Sequence, residues 1–410
     1  MKSASVRPAT DRLDALTTVR FFGAIYVVIG HWLSNGAPIL TPHHAILWRL
    51  FHFGGSAVSG FFLLSGFILA WVNLRKPGPL DKRRFYVARF ARIYPIFLAA
   101  LLLDTPHFLF SQVGQYGVPG ALMKTSVSFA GCLLMLQAWA ERLWGPDFPN
   151  WSLSVETFCY VLFPFLGYLV WKIRGAWILI SMTALYVGGQ AIIAVAAAGA
   201  VAHSLNYKLI YFWPPFHLSV FLLGVLLAKL LTTWETVAQK RSRVFWSVYL
   251  PLGLCIAVYV GLIVVTPTAL ADSPVGSALI RDGILSPVFC LLLWALASGE
   301  SVVSKLLSAR WLVLLGEASY ALYLIHLPVF HLVFPVLLHS LRNLPWREFR
   351  LLYGLGFLFY FALCIGLSVA SFLWLETPSR RWLNKKLGQP RQEVTELLPG
   401  VAVGHRLGGD

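Results

Sequence analysis

Charge is what this sequence has least of. Charged side chains make up 12% of its 410 residues, 17 Asp and Glu against 33 Lys and Arg. With 58% hydrophobic residues and a mean hydropathy of +0.71, the chain lacks the polar surface that a water-soluble globular domain needs. Cysteine is scarce too. The five residues (Cys132, Cys159, Cys255, Cys290 and Cys364) lie in apolar runs without C-x-x-C spacing, so neither disulfides nor a metal site is expected of them. No obvious repeat and no appended soluble domain is evident. The first apolar segment lacks a convincing small-residue cleavage site and reads as a retained span.

What the chain does have is apolar length. Runs long enough to cross a hydrocarbon core ~30 Å thick recur along most of it. Ten spans are predicted, at 16–34, 55–74, 93–111, 152–171, 176–197, 210–231, 244–266, 284–299, 311–339 and 351–375. The predicted fold class is all-α, a polytopic helical membrane protein with residues 1–388 forming the membrane domain. Residues 389–410, rich in Gly, Pro and charge, read as a disordered cytoplasmic tail. Residues 126–138 are too short to span and are expected to form a re-entrant or interfacial segment inside an outer 112–150 connection. With the N-terminus in the cytoplasm, 25 of the 33 basic residues fall on the cytoplasmic side or its helix ends. That asymmetry obeys the positive-inside rule and puts both termini in the cytoplasm. The net charge of +16 then reflects topology and attraction to anionic lipid, with no nucleic acid as partner.

Against this background the ionisable residues inside apolar runs stand out, because such groups are costly in a membrane and mark function by default. Arg20 and His31 share the first span. Eleven helical steps return to within ~20° of the start and rise ~16 Å, so both side chains lie on one face. An imidazole suits proton transfer near neutral pH; the plainer readings are an interfacial histidine beside Trp32 and a topology anchor at Arg20. In Asn150-Trp151-Ser152-Leu153-Ser154-Val155-Glu156, the Glu156 carboxylate needs a partner. It lies at a depth close to that of His31, so the two can meet if their helices pack, either as an acid–base pair or as a structural one.

The loop from Arg75 to Arg92 carries seven basic residues and one Asp. Arg89 and Arg92 project together at i, i+3, and guanidinium groups grip phosphates by paired hydrogen bonds. A loop lying on anionic lipid is the alternative. Gly60 to Gly66 (GFFLLSG) reads first as helix packing. Ser319 to His326 (SYALYLIH) places Tyr320 and His326 where they can line a cavity or pack. Glu376-Thr377-Pro378-Ser379-Arg380 most simply anchors the last span, and His217, after two prolines, has no assigned role.

Together these motifs resemble the bacterial acyltransferase-three family of integral membrane O-acyltransferases, from about Arg12 to Arg381. The resemblance rests on the Arg20–His31 spacing, GFFLLSG at 60–66, RFARIYP at 89–95, WSLSVE at 151–156, SYALYLIH at 319–326 and ETPSR at 376–380, in family order. It implies an enzyme of the bacterial inner membrane. Such an enzyme moves an acyl group, usually acetyl from cytoplasmic acetyl-CoA, to a hydroxyl of a glycan, lipid-linked sugar or other small acceptor. O-antigen, exopolysaccharide, peptidoglycan, Nod factors and macrolides are acceptors within the family. Carried over by position, His31 is the catalytic base or acyl carrier, with Glu156 its partner and Arg20 on the same track. Arg83, Arg84, Arg89 and Arg92 are expected to hold the CoA phosphates, and Trp151, Ser154, Tyr320 and His326 to contact substrate. No metal is expected. This chain departs from the family at Thr157, where relatives often carry a second acidic residue, and at His217 and Val220, where many carry Arg and Glu. A proton-coupled transporter or flippase is the rival reading; it asks for inverted repeats, which the sequence does not display.

Overall fold

The structure, a computed structural model, describes residues 11–36, 54–75, 78–199, 210–237, 249–265, 273–297 and 301–387. The expected tail at 389–410 lies outside the described residues. Within them all regular structure is helical: α1 (Asp11–Gly36), α2 (Gly54–Asn73), α3 (Lys82–Leu133), α4 (Trp151–Trp171), α5 (Trp177–Ala198), α6 (Leu218–Val237), α7 (Leu250–Val265), α8 (Pro274–Arg281), α9 (Ser286–Ala297), α10 (Val302–Leu307), α11 (Arg310–Leu341), α12 (Trp346–Ser371) and α13 (Thr377–Leu387). Nine helical stretches among the described residues are long and apolar enough to cross a membrane, and a shorter apolar helix at Leu250–Gly261 falls within the seventh predicted span, 244–266. The span predicted at 284–299 begins earlier, at Pro274, and breaks between α8 and α9 at Gly283, whose φ of +112° suits glycine.

The 126–138 segment takes a form the sequence did not make plain. α3 is capped by Asp81, whose side chain accepts the Arg84 backbone N–H. It runs to Gly117, where φ +64° and ψ 173° interrupt the helix. Pro119 sits just past the interruption, at the helix start where its missing N–H costs least. The second limb, residues 118–133, folds back along the first, for Tyr94 Oη donates to the Leu133 carbonyl at 3.3 Å. Residues 134–150 then lead into α4, pinned by Ser154 Oγ to the Met135 carbonyl (2.5 Å) and by Gln137 Nε2 to the Asn150 carbonyl (2.7 Å). So residues 126–133 are the end of a helical hairpin, and 134–138 are part of a connection packed against it.

The bundle centres on α1, α2, α3, α4, α6 and α11, with α2 packed along α6 and α1 along α11. Small residues permit the closest approaches. A Cβ on Gly66 would collide with the Phe221 carbonyl, one on Gly224 with the Leu63 carbonyl, and one on Gly316 with the Thr17 carbonyl. α5 exposes Trp177, Leu179, Ile180, Val187, Ile192 and Val195, an apolar face of the kind that lipid covers.

Candidate functional site

Where α1, α2, α3, α4 and α11 converge they leave a cavity holding about 660 Å³ of empty space, counting its mouth. Its wall carries Arg20 from α1, Ser65 from α2, Arg92 from α3, Ser152 and Glu156 from α4, and Ser319, Tyr320 and Tyr323 from α11, interleaved with Val58, Phe61, Phe62, Ile93 and Leu153. An apolar wall with a few convergent polar groups is the usual form of a small-molecule site.

One end of this cavity is rich in charge. Arg20, Arg89 and Arg92 converge there from α1 and α3. Arg20 is within electrostatic reach of Glu317 and Glu156, and Arg92 of Glu317, Glu376 and Glu156. The Nε atoms of Arg20 and Arg89 are buried and hydrogen-bonded to nothing among the described residues. A buried guanidinium short of acceptors is costly, and an anion resolves that cost. Glu156 has its own donors: Ser65 Oγ at 3.0 Å, and Tyr160 Oη one turn further along α4. Arg83 and Arg84 stand apart on the exposed start of α3.

A pair of histidines lies behind the cavity wall, next to Tyr323. His31 Nδ1 lies 2.7 Å from His326 Nε2, with the two rings parallel to within 4°. His326 Nδ1 in turn lies 2.7 Å from the Tyr323 carbonyl. A carbonyl only accepts, so in neutral His326 the proton is on Nδ1 and Nε2 accepts from His31. This assignment puts the His31 proton on Nδ1 and its lone pair on Nε2, the form a general base requires. His31 therefore pairs with His326. The expected meeting of His31 with Glu156 is not what the fold makes, because Glu156 turns toward Ser65 and Tyr160. His326 itself is fully buried, and Tyr360 Oη donates to its carbonyl at 2.9 Å.

Between the cavity and the histidine pair stands Tyr323. Its hydroxyl lies 2.9 Å from Ser152 Oγ and donates to the Pro149 carbonyl at 3.0 Å, while its ring lies 6.1 Å from both Phe61 and His326. Tyr323 lines the cavity and touches the histidine pair, whereas His31 does not line the cavity.

The remaining sequence candidates divide. Tyr320 lines the cavity and donates to the Ile93 carbonyl at 3.1 Å. Ser154 is buried and braces the 134–150 connection. Trp151 packs among Phe62, Tyr211, Phe212 and His217 and faces a smaller cavity with Gln137, Trp144 and Asn150. His217 is buried, with Nε2 3.1 Å from the Tyr211 carbonyl. Glu317 and Tyr160 carry no motif signal in the sequence, Tyr323 stands in the 319–326 motif without an assigned role, and Glu376 reads there as an anchor. Glu376 is in fact buried in the π-helical turn Phe372–Glu376 that joins α12 to α13, where it faces Arg92. A carboxylate at the end of an apolar run was the available signal.

The comparisons with known proteins agree with this architecture. The family model described as "Acyltransferase domain" (acyltransferase three) matches residues 13–373. The protein named acyltransferase MdmB from Streptomyces mycarofaciens is 30% identical over 337 residues, covering 78% of this chain and 80% of that relative. No solved structure matches this chain. The matched region contains every residue that walls the cavity as well as His31 and His326, and on that basis the chain belongs to the acyltransferase-three family of membrane acyltransferases.

Proposed function

We propose that this membrane acyltransferase moves an acyl group, acetyl in the first instance, from cytoplasmic acyl-CoA to a hydroxyl of a glycan or similar small acceptor. The observation that carries this reading is a cavity with Arg20 and Arg92 on its wall and Tyr323 between it and an oriented pair of histidines. Arg20, Arg89 and Arg92 suit the phosphates of CoA, with Arg83 and Arg84 at the outer approach. The apolar wall suits the slim pantetheine arm, which carries the thioester toward Tyr323 and the histidines.

In the proposed reaction, His31 Nε2 takes the proton of the acceptor hydroxyl as its oxygen attacks the thioester carbonyl. The C–S bond breaks, the ester forms, and the departing thiolate takes the proton from the His31 imidazolium. His326, held by the Tyr323 carbonyl, keeps His31 in the reactive tautomer throughout. Glu156, with Ser65 and Tyr160 as donors, offsets the positive charge of the arginines and sets their spacing. With the N-terminus cytoplasmic, the arginine end opens toward the donor and the histidine end toward the acceptor, so the enzyme places the two substrates on opposite sides of one barrier.

The test is incubation of the purified protein in nanodiscs with radiolabelled acetyl-CoA and a panel of glycans, beside His31→Ala. CoA release and acceptor labelling that depend on His31 are expected. Turnover retained by a folded His31→Ala protein would remove His31 from the reaction, and failure to bind acetyl-CoA would return the cavity to a transport reading.

A further inference from the structure

A second cluster of ligating side chains lies beyond the histidine pair, toward the same end of the bundle. Asp104 and His107 sit at i, i+3 on α3, and His331 lies five residues past His326 on α11, ~7.5 Å further along the axis. His331 Nδ1 is 2.7 Å and His107 Nδ1 3.8 Å from the same Asp104 Oδ1, and the two imidazoles stack at 3.7 Å. One donor atom from each residue lies within 4.8 Å of the others. Around a tetrahedral zinc ion with bonds of ~2.0–2.2 Å, donor atoms stand ~3.3 Å apart, so these spacings straddle the required value.

We propose that Asp104, His107 and His331 bind a divalent transition metal of the zinc class, which ties α3 to α11 at the acceptor end. Two imidazoles and one carboxylate form a nitrogen–oxygen donor set suited to zinc, with a fourth position left for water. The Asp104 carboxylate is 97% buried, and its Oδ2 accepts the Asp147 backbone N–H at 2.6 Å. Such outer contacts fix a ligating carboxylate in place. Asp147 adds a second buried carboxyl within electrostatic reach of Asp104, and neither of its oxygens has a hydrogen-bond partner among the described residues. Two buried carboxyls side by side repel when both are charged, and a cation offsets both. Entry is open, because His107 is half-exposed. Binding would displace the proton that bridges His331 and Asp104 and release it to solvent.

The site has a structural consequence for the cavity. Through Asp104 it holds the segment that ends at Pro149, whose carbonyl accepts from Tyr323 and Ser152. Metal would thus stiffen the wall beside the histidines without touching either substrate. The donors are scattered from residue 104 to residue 331, so no local spacing marks them in the sequence.

The experiment uses the full, untagged chain in nanodiscs, stripped with a chelator and titrated with Zn²⁺ alone by calorimetry; Co²⁺ replaces it for visible absorption. One ion per chain is expected, with a raised Tm on zinc addition. His107→Ala and His331→Ala should each lose more than the ~10-fold in affinity that loss of an outer contact costs. His339→Ala, an exposed histidine on the same helix, should keep wild-type affinity. His107→Ala removes a half-exposed side chain, so a monodisperse elution profile is expected to show it folded. No stoichiometric Zn²⁺ in the wild type, or undiminished affinity in folded His107→Ala, overturns the proposal. Neither readout depends on acyl transfer, so the two readings fail separately.

Discussion

His31 and His326 meet through a 2.7 Å contact across 295 residues of chain, and the Tyr323 carbonyl behind His326 gives that contact a direction. The direction matters because only one tautomer of His31 offers a lone pair at Nε2. A histidine without such a partner divides its population between tautomers and rotamers. The pair makes His326 a positioning residue: it acts on the reaction through His31.

His326→Ala should therefore lower kcat by about 100-fold or more, the usual contribution of an oriented general base, with little change in donor KM. His326→Gln should recover part of that loss, since its amide oxygen can accept from His31 Nδ1. The pH–rate profile separates this role from packing, since only loss of orientation shifts its limb. An unaltered profile and kcat in His326→Ala would sink the assignment.

Arg89 is expected to hold donor phosphate. Arg89→Gln should raise the apparent KM for acetyl-CoA at least ~10-fold, the effect of losing one charge-assisted contact of ~1.5–3 kcal/mol. With acetyl-pantetheine, which lacks the nucleotide phosphates, variant and wild type should be equal. A KM defect of the same size with both donors would show that the arginine shapes the cavity and does not grip phosphate.

Tyr160 and Ser65 both donate to Glu156, and Tyr160→Phe leaves that buried carboxylate short of one donor. The cost is about 1–3 kcal/mol, visible as a lower Tm in nanodiscs. Ser65→Ala should act in the same direction. If both variants melt with the wild type, the hydrogen bonds to Glu156 contribute nothing net to stability.

The α2–α6 crossing has no room for a methyl group. Gly66→Ala and Gly224→Ala each drive a Cβ into a backbone carbonyl, and overpacking of this kind costs ~1–3 kcal/mol or more. Loss of folded protein or a marked fall in Tm is expected, measured by size exclusion and thermal unfolding. Gly253→Ala is the control, because a Cβ there meets nothing within 4 Å and should leave Tm unchanged.

The sequence by itself determined the class of the protein and most of its helices. Apolar length is additive along a chain: a run such as 176–197 must be helical in lipid whatever surrounds it, and α5 duly occupies Trp177–Ala198. The same logic marked Arg20, His31 and Glu156 as residues too costly to be idle. Partnership was beyond it. Nothing local distinguishes Glu156 from His326 as the companion of His31, because each sits in an apolar helix at a compatible depth. Only the crossing of α1 with α11, set by the contact of Gly316 with Thr17, decides which side chain arrives. The same holds for Ser154, drawn from the cavity to brace a connection, and for Glu376, drawn inward at a π-helical turn toward Arg92. Burial cost is a property of one residue and can be read from its neighbours in sequence. Hydrogen bonds and ion pairs belong to two residues, and which two is decided by tertiary packing.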